Sequence, residues 1–423
     1  MKIKIKSFRN NVSFAAIIIY FLITLVRYFK DAIFHSNTVA ALVLLFTAFI
    51  FFFETWRERD GKILLNQYDK AWLLILIFML LNRDWGYDWF RTLMCAIGIV
   101  AYLCIGKRIY YVKYGMTLCI LFAILTATVS WYEIINYDGY IRILSKLYLP
   151  EEVDSIVRFY RQGMMSGLTS HYSSNTFYMV SAIICIISDN WASNISKVKK
   201  GRIIKWILVG YLLVTALMVG KRGHLVFLFA TLFLTYFTLQ INSSKKIKQS
   251  IASVIIIIIT FPIILEKVPQ VSNFFSRLFA NSGDILNGRG DLYKNALDMF
   301  LRSPLIGQGY GSFSVLMNYE NPGVHNDYLQ FLCEWGVVGF AICLVAYGGC
   351  LYITYMHYRK ICSNEYSFED RRLLLWSIMI QIFVAMYSLT GIPHYDFEVY
   401  MLFCMACAVP KNITPLFSKY KKV

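Results

Sequence analysis

Long uninterrupted apolar runs recur from one end of this 423-residue chain to the other, and they restrict it to one kind of fold. A spanning helix needs about 20 predominantly apolar residues. Backbone groups in hydrocarbon must be satisfied internally, which leaves only helices or closed barrels. The runs are continuous rather than alternating, so a barrel is excluded. Composition agrees: 58% of residues are hydrophobic and 16% charged, too little charge to clothe a soluble protein of this size. The chain reads as an all-α polytopic membrane protein with about twelve transmembrane helices. Spans are predicted at 13–26, 37–53, 70–81, 91–105, 114–131, 172–188, 203–220, 223–241, 251–265, 326–356, 372–389 and 397–410. They form one integral membrane domain, 1–423, with two sizeable outer segments at 132–171 and 266–325. The run 326–356 exceeds what a ~30 Å hydrocarbon core requires at ~1.5 Å per residue. Its start, Asp327 to Trp335, is therefore expected to stand proud of the bilayer or hug its surface.

Charge orients the chain. With the N-terminus inside, most of the 42 Lys and Arg fall on inner loops, and most of the 25 Asp and Glu fall outside. This positive-inside bias puts both termini in the cytoplasm, and the net charge of +17 reflects topology and contact with anionic membrane lipids. Nucleic acid is not an expected partner, because no basic stripe is interleaved with stacking aromatics. The N-terminal KIKIKSFRNN and the apolar run behind it resemble a signal peptide, but no small-residue cleavage site follows, so the run is read as span one. The ten cysteines lie mostly inside spans and form neither a disulfide framework nor a zinc site. No cofactor motif and no metal site are read.

The polar, Gly-rich stretch from Gly288 to Gly339 stands out in so apolar a chain. Asp291 to Arg302 has helical periodicity and stops before Pro304, with Leu292, Ala296, Met299 and Phe300 on one face and Lys294, Asp298 and Arg302 on the other. Arg289 just precedes it. The free N–H groups of a first turn favour an anion, and a guanidinium reinforces them; alternatively, Arg289 braces the loop against Asp291 or Asp284. Gly307-Gln-Gly-Tyr-Gly is not a dinucleotide fingerprint, since no strand precedes it, and its glycines instead permit close backbone approach to helices or substrate. His325 opens the next span, with Asp327 and Glu334 behind it. Two ligands at His325 and Asp327 do not make a metal site. Glu334, a carboxylate near a span entrance, needs a partner, either a loop arginine or His325 through water. Lys221 and Arg222 sit in a very short turn between two spans. The forked guanidinium suits phosphate, whereas Lys221 could snorkel to headgroups. The segment 132–171 carries Arg161 and His171 and reads as either a substrate lid or a connecting hairpin.

Taken together, these motifs resemble the O-antigen polymerase/ligase superfamily, the Wzy- and WaaL-like membrane glycosyltransferases. The elements that match are VGKRGHLV around Arg222, the G-R-x-x-x-Y-x-x-A…P-L-x-G-x-G run from Gly288, and HNDYLQFLCEWGVVG from His325. Lys221 departs from the pattern, which has a small or hydroxyl residue there. The resemblance implies a GT-C-like helical fold and metal-independent, cofactor-free glycosyl transfer on the extracytoplasmic face of the bacterial inner membrane. It implies an undecaprenyl-diphosphate-linked glycan donor and acceptor, and a flippase and chain-length regulator as partners. It makes Arg222, Arg289 and His325 the catalytic positions, with Lys221, Arg161, His171, Arg302, Asp327 and Glu334 contacting substrate. The HNDYLQFLCEWG form looks more like polysaccharide polymerases than ligases, which transfer the glycan to lipopolysaccharide core. A polysaccharide or lipid transporter is the alternative from another class; transporters place ionisable groups near the midplane, whereas the polar groups here gather at one mouth.

Overall fold

The structure is a computed structural model that describes residues 2–25, 37–61, 65–81, 89–195, 201–240, 289–317, 323–361 and 366–413. Every element among them is helical. In chain order they are α1 (Lys2–Leu25), α2 (Asn37–Glu58), α3 (Gln67–Leu81), α4 (Trp89–Cys104), a 3-10 turn (Gly106–Tyr111) running into α5 (Val112–Ile135), α6 (Tyr137–Leu144), α7 (Pro150–Arg161), α8 (Tyr172–Ile195), α9 (Arg202–Val219), α10 (Arg222–Gln240), α11 (Gly290–Arg302), α12 (Ser312–Leu316), α13 (Asp327–Arg359), α14 (Phe368–Tyr387) and α15 (Phe397–Asn412).

Each predicted span falls on one of these helices except 251–265, which lies outside the described residues. Val39–Glu58, Gly106–Ile135 and Asp327–Arg359 are long and apolar enough by themselves to cross a membrane. Shorter apolar helices include Asn10–Leu25, Thr92–Cys104, Ile203–Val219 and Arg222–Thr238. The chain is a membrane protein, and its apolar side chains divide accordingly. One continuous core runs through α1, α2, α4, α5, α8, α14 and α15, while Phe46, Phe49, Ile203, Ile207 and Val345 on the outer helices remain exposed, as side chains facing lipid do.

The described ion pairs of Lys and Arg gather at one end of the bundle, where α2, α5, α9 and α14 meet the chain's 3-10 turn and last helix. Arg108 pairs with Glu54 and Glu58, Lys411 with Asp69 at 3.0 Å, and Asp189 with Lys205 and Arg372. The opposite end is built differently and holds the candidate site.

At that end α13 is broken. Gly336 adopts φ 64°, ψ −170°, a conformation close to glycine's alone. The loop after α11 fills the gap: Val337 and Val338 N–H donate to the carbonyls of Pro304 and Leu305, and Gln308 and Gly309 N–H donate to those of Cys333 and Glu334. The helix groups orphaned by the break thereby regain partners. The approach is so close that a Cβ on Gly307 would lie 2.2 Å from the Glu334 carbonyl carbon, and one on Gly336 2.4 Å from that of Leu305. Of the two uses open to the glycines of this run, the structure shows approach to a helix. The break also separates Asp327–Trp335 from the rest of the long apolar run.

The segment 132–171 is compact. Tyr140, Leu144, Tyr148 and Ile156 form a small core between α6 and α7. Glu133 is fully buried and accepts the N–H groups of Ser166 and Gly167, while the Tyr140 and Tyr148 hydroxyls donate to the carbonyls of Gly167 and Leu168. The loop 163–171 is thus bolted to the end of α5.

Candidate functional site

The turn between α14 and α15, residues 388–396, is where the site is assembled. The first turn of α13 is fastened to it. Asp327 N–H donates to the carbonyls of Ser388 and Gly391. The Asn326 side chain caps α13 by accepting Leu329 N–H at 3.1 Å and donates its own amide to the Leu389 carbonyl. Tyr328 Oη donates to the Ala385 carbonyl at 2.8 Å. Of the last carbonyls of α14, which no helix partner can satisfy, that of Ala385 is taken by Tyr328 and those of Val384, Met386 and Tyr387 by the N–H groups of Ser388, Leu389 and Thr390; the turn beyond offers its own carbonyls to the start of α13. This bracing holds His325 at φ 59°, a left-handed backbone that costs a non-glycine residue of order 1–3 kcal/mol.

Arg289 joins the same turn, donating from one guanidinium nitrogen to the Thr390 carbonyl at 2.9 Å. Among the described residues it forms no ion pair with Asp291, and Asp284 lies outside them. One of its five N–H donors is thus engaged by a neutral carbonyl. The first turn of α11 carries no side-chain cap, so its N–H groups are not engaged by the Arg289 side chain. Arg222 opens α10 beside this turn; a Cβ on its neighbour Gly223 would lie 3.6 Å from Thr390 Oγ1. Lys221 occupies the tight link after Gly220, whose φ is 95°, and its ammonium lies over the Tyr172 ring at 5.5 Å from the centroid.

The electrostatics confirm that these groups share one space. His325 is lowered to about 4, first by burial and then by the Arg289 and Lys221 charges. Lys221 is lowered to about 8 by burial and by Arg289, with Asp396 opposing. His171 is lowered to about 4 by burial and Lys221, Glu398 opposing, with His325 and Arg158 adding to the depression. At neutral pH both imidazoles are uncharged amid a cationic cluster.

The remaining residues expected to meet substrate divide. His171 belongs to the cluster. Arg302 is exposed at the far end of α11, ~18 Å along the axis from Arg289 at ~1.5 Å per residue. Arg161 is exposed at the end of α7, near Tyr137. Asp327 and Glu334 are fully buried. Glu334 accepts from Gly311 N–H at 2.9 Å, Phe313 N–H at 3.2 Å, Gln330 Nε2 at 2.7 Å and Tyr395 Oη at 2.6 Å. Its partners are thus loop N–H groups and a tyrosine rather than a guanidinium. Asp327 Oδ2 faces His394 Nδ1 at 2.5 Å and also accepts from Ser388 Oγ and the His394 N–H. His394 stacks on Tyr347 at 4.8 Å. Both carboxylates therefore hold the walls of the site. Among the described residues no group of three or more His, Cys, Asp or Glu could hold a metal ion.

Sequence reasoning missed Thr390, whose carbonyl takes Arg289, and Tyr395, which holds Glu334. Both lie in or just before GIPHYDFE, residues 391–398, where no site residue was expected. The signal was a Gly-Ile-Pro turn closing a span at the same mouth as the arginines.

Residues 207–344 match the family model described as O-antigen ligase. No curated protein matches the chain. The matched stretch contains Lys221, Arg222, Arg289, Arg302, His325, Asp327 and Glu334, and over it the chain is similar to the O-antigen ligase family, in agreement with its motifs.

Proposed function

We propose that this protein is a glycosyltransferase that polymerises polyprenyl-diphosphate-linked oligosaccharide repeat units at the extracytoplasmic face of the inner membrane. The growing glycan moves from its lipid to a hydroxyl of a new lipid-linked unit. A bond forms between that hydroxyl oxygen and the anomeric carbon, and the bond from the anomeric carbon to the phosphate oxygen breaks. The lipid diphosphate leaves with the electron pair, and the hydroxyl proton passes to His325.

The observation that carries this reading is the gathering of Lys221, Arg222, Arg289 and His325 around one inter-helix turn. Charge develops on the leaving diphosphate, and Arg222 and Arg289 meet it with preorganised donors, each worth ~3–4 kcal/mol of barrier by analogy with oxyanion-hole donors. His325 stays neutral beside the cations and so keeps a lone pair for the acceptor hydroxyl, a role worth ~10²–10⁴-fold. In this reading the guanidinium groups supply the positive charge at the leaving group. Asp327 and Glu334 position the turn and the loop rather than touching substrate, and a flippase and chain-length regulator act before and alongside the enzyme.

The matched family is described by its ligases, which favours a second reading with the same chemistry and a lipopolysaccharide core sugar as acceptor. Purified protein given a lipid-linked repeat unit, alone and with core oligosaccharide lipid, separates the two. A ladder from the repeat unit alone is the expected result. Single transfer that requires the core acceptor would replace polymerase with ligase, and no transfer to either would end both.

A further inference from the structure

Lys221 is the residue that departs from the family pattern, and the structure surrounds it with groups outside the matched region. The loop 163–171 reaches it through Met165 N–H, which donates to the Val219 carbonyl at 3.3 Å, and Gly220 packs against Met164. The wall beside the ammonium is aromatic. Tyr172 lies under Lys221, His171 stacks on Tyr172 at 4.7 Å and 24°, and Phe159 meets both rings edge-on at 5.0 and 4.7 Å. Arg158 lies over Phe159, 5.5 Å from its centroid.

His171 has a fixed tautomer. Its Nδ1 accepts the Ser173 N–H at 3.0 Å, so the neutral ring carries its proton on Nε2 and presents a donor. Lys221, Arg158 and His171 thus offer only donors, two of them charged, along a half-buried aromatic wall. The carboxylates whose charge acts on His171 and Lys221 are Glu398 and Asp396, and α7 itself carries Glu151, Glu152 and Asp154. Glu398 accepts from Ser174 Oγ at 2.7 Å, and Asp396 accepts from Tyr387 Oη at 3.2 Å. Aromatic faces suit the C–H faces of sugar rings, and donor-only polar groups suit an anion. Arg222 and Arg289, with the first turn of α11, already match a diphosphate in charge. The surplus cation calls for a second negative group.

We propose that Tyr172, His171, Lys221 and Arg158 form a subsite for an acidic sugar, one whose ring bears a carboxylate, in the lipid-linked glycan. This rests on the glycosyltransferase reading and narrows its substrate class. Lys221 binds the carboxylate, and His171 Nε2–H donates to it or to a neighbouring hydroxyl, with Tyr172 holding the Lys221 ammonium and the His171 ring in place.

The test uses two synthetic polyprenyl-diphosphate-linked oligosaccharides, one with a uronic acid and one carboxyl-reduced at that sugar. Their affinities for the purified detergent-solubilised protein are compared, and turnover is measured separately. The wild-type protein is expected to bind the acidic lipid about 10- to 100-fold more tightly, the range of one charge-assisted hydrogen bond. Lys221→Met should bring the ratio to near one, and Lys221→Arg should restore most of it, with unchanged size-exclusion elution reporting an intact fold. Equal binding of the two lipids by wild type would overturn the subsite, as would a ratio that survives Lys221→Met. A binding preference without glycosyl transfer would keep the subsite and remove the polymerase reading.

Discussion

His325 carries the clearest residue-scale consequence. Its ordinary pKa is ~6.5, and burial with the Arg289 and Lys221 charges brings it to about 4. Between those values the unfolded chain binds a proton that the folded chain refuses, so acidification through this window destabilises the fold. Activity has the same sign. The kcat/KM profile reports the free enzyme, and its acid limb is expected near pH 4 instead of 6.5. Because Arg289 contributes to the depression, Arg289→Gln should move that limb upward while lowering turnover. A limb that stays at 6.5 in the wild-type protein would show that the titrating base is another group. The positions of Arg222, Arg289 and His325 could be read from the sequence because each sits at a helix end that periodicity marks. What the sequence could not show is which groups face which. Glu334 looked like an arginine partner, yet its four donors are the Gly311 and Phe313 N–H groups, Gln330 one turn earlier in α13, and Tyr395, 61 positions away.

The broken helix α13 and the loop that repairs it are the element on which the site depends. Replacing Gly336 with Ala would force φ 64° on a β-carbon and push that carbon to 2.4 Å from Leu305. The backbone hydrogen bonds from Pro304 to Gly309 cannot survive both, so the variant is expected to lose folded yield in detergent outright. A well-folded, active Gly336→Ala would contradict the break. The Asp327–His394 tie is the other fastening. Asp327→Ala leaves the His394 ring and backbone N–H groups buried without that acceptor, while the Ser388 hydroxyl keeps the Val384 carbonyl. The expected loss is about 3–5 kcal/mol, read as a lowered unfolding midpoint. Helix existence and the stop at Pro304 were visible in periodicity, whereas the break at Gly336 was not. Neither was the repair by Pro304–Gly309, because a glycine pair that admits a helix backbone looks, in sequence, like one that admits a ligand.

At the scale of the whole molecule, one end pairs its lysines and arginines with carboxylates and the other gathers cations around uncharged imidazoles. A transporter would be expected to hold its ionisable groups midway; the described clusters lie at the ends. Apolar runs made this membrane architecture legible from composition alone, whereas the convergence of residues 221, 289, 325 and 390 depends on how four helix ends are tied, which no periodicity encodes. The central claim is that Arg222 and Arg289 together help expel a lipid diphosphate while the His325 imidazole takes the acceptor's proton. Single-turnover release of polyprenyl diphosphate, with donor and acceptor saturating, tests it most directly. The account predicts slowing by about 10²–10⁴-fold in His325→Ala and by ~10²–10³-fold in Arg289→Ala, each with donor still bound. Release at the wild-type rate in both variants would contradict it.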